Sequence, residues 1–184
     1  MKQISDTLGI IYRPATSEAD YKRIHALNHR IFSDEIGQHA PAESGLLIDK
    51  FHDKNHYIVA EREGEIIGMI CAHWRPPYSV ADKYPGILSH LKESVFPAEV
   101  RLLAIIPEYR HTTVAWRLMR HLSQALLERG VDTIVISGIE EQKATYEKIG
   151  FKAVAPAVRC GEAFYYPMIM TKDDFLRGRT RLPS

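Results

Sequence analysis

The sequence predicts an α/β fold, one mixed and mostly antiparallel sheet with helices on both faces, and three stretches carry that expectation. Residues 100–106 have the length of a buried strand and are apolar except for Arg101; Pro107 and Glu108 break the run, and after Arg110 helical periodicity returns through Val114, Leu118, Leu122 and Leu126. Residues 57–61 and 65–74 read as a hairpin joined by Glu63-Gly64. Residues 146–151 read as the end of a helix capped by Gly150, with Phe151 opening the next strand.

The remaining elements fall into place around these. Residues 10–13 make a short apolar start, and Thr16 or Ser17 can cap a helix running towards Phe32 with Ile24, Leu27, Ile31 and Phe32 as its inward stripe. Gly37, Pro41 and Gly45 punctuate an irregular segment, 33–51. A second insertion, 75–97, carries Pro76, Pro77, Pro85 and Pro97 around a short helix. The long helix extends to about Arg129, Gly130 precedes a strand at 133–137, and strands near 151–155 and 163–171 close the chain. No repeat, low-complexity tract or linker interrupts it, which predicts one domain over 1–184, with a core of about 10–171 and a solvated tail at 172–184 whose basic run is Arg177, Arg179 and Arg181.

Bulk composition excludes several classes. With 184 residues, 45% hydrophobic, 26% charged and a net charge of +1, the chain has a core and no overall field to recruit nucleic acid or an anionic membrane. No apolar run reaches the roughly 18–20 residues of a membrane span, and the first residues lack the apolar core of a signal peptide. Cys71 and Cys160 are the two cysteines, in no metal-like spacing, so a reduced, cytoplasmic protein is expected. His25 and His29 stand at i and i+4, but the glutamate of H-E-x-x-H is missing and no metal site is expected. Phosphate-loop and dinucleotide fingerprints are absent, as is the G-x-S-x-G elbow.

A buried strand that runs through a short turn into a helix gathers unpaired N–H groups and the positive end of the helix dipole at one point, an anion site suited to pyrophosphate. Here the wording Leu103-Ala104-Ile105, Pro107-Glu108-Tyr109-Arg110 and Ala115 resembles motif A of the GNAT acyltransferases, L-A-V-x-P-E-Y-R-G-x-G-x-G/A, with His111 and Thr113 where that family usually has glycine. Tyr146-Glu147-Lys148-Ile149-Gly150-Phe151 resembles the family's motif B ending, Y-E-K-x-G-F. The resemblance implies a GNAT fold, acetyl-CoA or another acyl-CoA as co-substrate, and no metal. It implies a donor site of Leu103, Ala104, Ile105, Arg110, His111, Thr112, Thr113, Val114, Ala115 and Trp116, with Tyr146 near the coenzyme sulfur.

The first half adds a narrower likeness. Arg30-Ile31-Phe32-Ser33-Asp34-Glu35-Ile36-Gly37 followed by Asp49-Lys50-Phe51-His52-Asp53 resembles the R-x-x-F/V-x-E-x-G … D-x-F-D pattern of acyl-homoserine lactone synthases and N-acyl amino acid synthases, with Gln38 where those synthases carry tryptophan. Glu99-Val100-Arg101 resembles their E-x-S-R, one residue shorter. Ile136-Ser137-Gly138 and Tyr166-Pro167-Met168 resemble GNAT domains linked to aminotransferases, which makes such an enzyme an expected partner beside the small-molecule amine; the acyltransferase and synthase likenesses add an acyl-carrier protein as an alternative donor, and self-association is compatible with the chain.

Acyl transfer to an amine requires a base, a stabilised oxyanion and a leaving thiolate. Glu99 is the candidate base, its rival role being an ion pair with Arg101 on the same face of the strand. The resemblance implies Tyr146 as the leaving-group acid, its rival role being a packed helix tyrosine, and backbone N–H groups around Leu103 or Ile105 for the oxyanion. Arg30, Glu35, His39, Asp49, His52 and Arg101 are the candidates for acceptor recognition. Neither donor motif contains a cysteine, so direct attack in a ternary complex is expected. An acyltransferase acting on a primary amine is the leading reading; a synthase-like enzyme with a longer acyl chain and a non-catalytic thioester-binding module are its alternatives.

Overall fold

A computed structural model describes residues 4–5, 9–37, 39–161 and 163–179. Gln38 and the basic Arg181 therefore lie outside the described residues. The chain resolves into two compact units, Met1–Ala72 with Leu102–Gln124, and His73–Arg101 with Ala125–Ser184.

The first unit contains strands β1 (Ile4–Ser5), β2 (Ile11–Pro14), β3 (His56–Arg62) and most of β4 (Glu65–His73), paired antiparallel in that order. The β3–β4 hairpin closes at Glu63 and Gly64, both with positive φ, 52° and 83°, the backbone a tight two-residue turn requires. Helix α1 (Glu18–Asn28) starts at Ser17, whose hydroxyl accepts the Asp20 N–H at 3.1 Å. Asp20 in turn accepts a bidentate pair of hydrogen bonds from Arg13, at 2.8 and 2.9 Å, which locks the start of the helix to β2. Ile24, Leu27 and Ile31 are buried on Tyr57, Val59, Met69 and Ala104, as their helical spacing predicts. The helix continues as a π-helical stretch, His29–Glu35, which the sequence did not announce.

In the second unit, β5 (Pro97–Ile105) runs parallel to β6 (Thr133–Ile139), β6 pairs antiparallel with β9 (Ala163–Thr171), and β9 also carries β7 (Lys152–Ala153) and β8 (Val158–Cys160). The short helices α2 (Ser79–Lys83) and α3 (Ile87–His90) occupy the second insertion, where Tyr78, Val80, Ile87 and Leu91 pack with Val135. Strand β5 passes from the second unit to the first between Arg101 and Leu102. It leads into helix α4 (Val114–Glu128), whose Val114, Leu118, Leu122 and Leu126 are buried. Helix α5 (Lys143–Ile149) ends on Gly150 at φ 121°.

The expected tail is corrected: Lys172–Arg179 forms helix α6. Thr171 and Asp174 form a reciprocal cap, the Asp174 N–H donating to the Thr171 hydroxyl and the Thr171 N–H to Asp174. Phe175 is buried. Among the described residues no helix is long and apolar enough to cross a membrane.

Candidate active site

In the first unit the strand–turn–helix is built as its sequence implies. A single 3-10 turn, Pro107–Tyr109, separates β5 from the approach to α4. Thr112 closes the turn: its hydroxyl donates to the Tyr109 carbonyl at 2.6 Å and accepts the Val114 N–H at 3.3 Å. That leaves Ala115 and Trp116 as the first-turn residues whose N–H groups have no carbonyl one turn back in the helix. Arg110 is stapled to the strand end by its Nε, 2.9 Å from the Ile105 carbonyl, while its guanidinium clasps both oxygens of Glu35 in a bidentate pair. The Glu35 carboxyl is held below the usual carboxylate range mainly by that arginine, and the arginine is raised mainly by Glu35.

Leu102 sits in β5 at φ 54°, a left-handed residue inside a strand. The alternation of side chains is interrupted there, one step before the backbone N–H of Leu103, and strain of this kind concentrates at functional sites. Gly68 lies against the next stretch of the strand, where an added Cβ would come within 3.2 Å of the Ala104 carbonyl.

The second unit holds Glu99, and its carboxylate is fully committed. It is 1% exposed and accepts from Ser79 N–H (2.7 Å), the Ser79 hydroxyl (2.7 Å), Val80 N–H (2.6 Å) and His73 Nε2 (3.1 Å). Those four donors match the four lone-pair sites of a carboxylate. Helix α2 has Tyr78 at its cap position, with no side-chain oxygen able to serve, and Glu99 supplies the cap from another strand. The anticipated ion pair with Arg101 is correspondingly loose: Arg101 Nε is 3.8 Å from Oε2 and donates instead to the Ser79 hydroxyl at 3.0 Å. Burial pushes the Glu99 carboxyl up, but His73, Ser79 and Arg101 together outweigh it and hold it below its ordinary value.

Tyr146 lies on α5 with its ring edge-on to Phe151, centroids 6.3 Å apart. Burial, with a smaller contribution from Tyr165, pushes its hydroxyl up to about 12. Gly138 makes room for it, since a Cβ there would meet the Tyr146 ring at 2.9 Å and Met168 Sδ at 2.8 Å. Gly138→Ala is expected to displace the ring and to destabilise the fold by about 1–3 kcal/mol, the cost of overpacking. Melting curves check this; an unchanged melting temperature would mean that Tyr146 and Met168 yield freely.

A sequence profile of the acetyltransferase (GNAT) family matches residues 21–151. The chain belongs to that family. No curated protein matches this GNAT chain by sequence. Among solved structures it is similar to a CoA-dependent acyl-homoserine lactone synthase, BjaI, with 15% identity, TM-score 0.76 and coverage of 96% of this chain and 92% of that one. It is similar to FeeM, an N-acyl amino acid synthase from uncultured soil microbes, with 16% identity, TM-score 0.73 and 93% of each chain covered. An acyl-CoA N-acyltransferase from Pseudomonas aeruginosa aligns at 13% identity and TM-score 0.62 over 88% of this chain and 99% of that one. At these identities the likeness establishes the GNAT fold.

The acceptor candidates scatter within this GNAT fold. Glu35 reaches Arg110, whereas Arg30 and His39 are exposed. Asp49 turns inward on its own loop, accepting from Phe51 N–H and Asn55 Nδ2 at 2.9 and 2.8 Å. His52 joins His25 (3.3 Å) and the Tyr57 hydroxyl (3.2 Å). His25 and His29 diverge, His29 accepting the Ala42 N–H through Nε2 and facing Asp34 through Nδ1, so they form no chelating pair. Among the described residues no group of three or more His, Cys, Asp or Glu is placed to hold a metal. His73 and Ser79 escaped the sequence reading; a histidine closing an apolar strand was the one available sign of the first.

Proposed function

We propose that this protein transfers an acyl group, acetyl before others, from an acyl-CoA to the primary amine of a small molecule by direct attack. The observation that carries the reading is the strand–turn–helix at 102–116, with Arg110 at its mouth and two first-turn N–H groups behind it. Pyrophosphate would be held by Arg110 with the amides of Ala115 and Trp116, while His111, Thr112, Thr113 and Val114 shape the turn. Leu103, following the left-handed Leu102, offers the N–H for the thioester oxygen, with Ala104 and Ile105 anchoring that end of the strand. Tyr146 serves the departing sulfur. Glu99 acts as a positioning residue, since its lone pairs are occupied in the folded chain. The family profile covers residues 21–151, which include segments of both compact units.

Ile36 and Ile48, 59% and 60% exposed on the segment beside Glu35, favour a second reading in which the acyl chain is longer and comes from CoA or an acyl-carrier protein. One screen addresses both: amines of varied class with acetyl-, butyryl- and octanoyl-CoA, read by thiol release. Turnover with acetyl-CoA supports the first reading and a steep preference for octanoyl-CoA the second. Silence with every pair would leave a thioester-binding module.

Arg110→Ala is expected to weaken coenzyme A binding about ten-fold or more, since charge-assisted phosphate contacts contribute roughly 1.5–3 kcal/mol. Glu35→Gln should do the reverse, because the donor no longer competes with a carboxylate for the guanidinium. Calorimetric titration reads both variants, and unchanged affinity in Arg110→Ala would sink the donor-site assignment.

A further inference from the structure

The second unit contains a cation that the mechanism does not use. Helix α2, capped at its start by Glu99, ends at Lys83. This side chain is half-buried, and its Nζ lies 4.4 Å from the centroid of the Tyr165 ring. Among the described residues its ammonium makes no ion pair and no hydrogen bond. The charged and titratable groups around it are Cys160, Glu99, Arg101 and Asp82. Burial is the largest influence on Lys83 and disfavours its charge, and Arg101 acts in the same sense; Cys160, Glu99 and Asp82 act against them.

Neither nearby carboxylate serves as counter-ion. The oxygens of Glu99 are taken by four donors, and Asp82 is exposed to solvent, where its field is screened. A partly desolvated ammonium with only a ring face beneath it gains from an anion that completes its shell. The surroundings suit a substrate end group. Tyr165 stands opposite Ile139 and Val158 in the β6–β9 and β8–β9 ladders, and is near enough to Tyr146 to influence its hydroxyl. Arg101 precedes the left-handed Leu102 on β5, two residues from the Leu103 amide.

We propose that the Lys83 ammonium, seated on Tyr165 beside Arg101, binds a carboxylate of the amine acceptor, which makes the acceptor an amino-acid-like molecule. The inference rests on the acyltransferase reading for the identity of the ligand, but the seat itself is a binding site and is testable without turnover. Lysine here recognises charge and does not take the amine proton.

The test uses the full chain and its Lys83→Met and Lys83→Arg variants. The twenty common amino acids and their carboxamides are compared twice, by calorimetric binding in the presence of coenzyme A and by thiol release from acetyl-CoA. At least one free acid should bind about ten-fold or more tightly than its amide, and that preference should vanish in Lys83→Met and survive in part in Lys83→Arg. In kinetics the loss should appear in KM. Equal binding of acid and amide by the unmodified protein overturns the proposal, and so does a preference that persists in Lys83→Met. A fall in kcat that is equal in both variants, with KM unchanged, would overturn it in favour of a lysine base. Melting curves verify that the variants fold. Should no amine release thiol while the acid preference in binding still depends on Lys83, the seat stands and the acyltransferase reading fails; the coenzyme A titration reports on the donor site separately.

Discussion

Glu99→Gln should lower the melting temperature by roughly 6–20 °C, the equivalent of about 3–5 kcal/mol in a chain of this size. Glutamine preserves the shape but brings an NH2 group into a ring of donors, so at least one of Ser79 N–H, Ser79 hydroxyl, Val80 N–H and His73 Nε2 meets a donor in place of an acceptor. Helix α2 loses its only side-chain cap. The pH dependence follows from the sign of the shift. Because the folded carboxyl is held below its ordinary value of 4.5, its contribution is complete above that value and is lost as pH falls through the lower folded value. The variant should therefore show a shallower loss of stability below about pH 4.5 than the unmodified protein. Melting curves from pH 3 to 8 decide the matter; a variant as stable as its parent, with an unchanged acid limb, would remove Glu99 from the framework.

Tyr146→Phe carries the second large effect, this one on rate. A hydroxyl pushed up to about 12 stays protonated throughout any practical assay. It is a poorer acid than a thiol of about 8.5, so complete proton transfer to the departing sulfur would run uphill by several pKa units. In the proposed reaction its contribution would be a hydrogen bond to developing negative charge, worth roughly 1.5–3 kcal/mol, or on the order of 10- to 150-fold in rate. Coenzyme A affinity and melting temperature should hold, because the ring and its packing on Phe151 are retained. Single-turnover rates beside a donor titration are the measurement. Parental turnover in the phenylalanine variant would exclude Tyr146 from the chemistry, and a matching loss of stability would make it a core residue.

Elements whose chemistry is local were legible in the sequence. Ser17 caps its helix through a residue three positions on, Glu63-Gly64 turns the hairpin, and Gly150 ends a helix with positive φ; each needs only its neighbours. The strand–turn–helix of β5 and α4 belongs with them, since a strand, a break and a helix in succession define it. Helix α6 is equally local, since Thr171 and Asp174 have the spacing of a capping box, but its polar composition reads as a solvated tail. What could not be read were contacts between distant residues of ordinary type. Glu99 and Arg101, two apart on a strand, suggest a pair; the stronger partner, Ser79, is 20 residues away on a helix too short to have a clear period. Glu35 and Arg110 are separated by 75 positions, and no pattern in either segment announces the other. The seat of Lys83 likewise depends on Tyr165, which arrives from β9.

The left-handed step at Leu102 bears on how β5 tolerates a change of length. In a regular strand the gain or loss of one residue turns every later side chain to the opposite face, which is why strand lengths are so tightly held. A strand that already contains a left-handed residue is two registers joined end to end, and each can keep its own alternation. The break lies between the segment that ends at Arg101 and the one that begins at Leu103. A one-residue insertion or deletion at Leu102 would fall where β5 already breaks its alternation and would leave Ala104 and Ile105 in the core. Insertions and deletions, ordinarily confined to loops, thus have a foothold inside this strand.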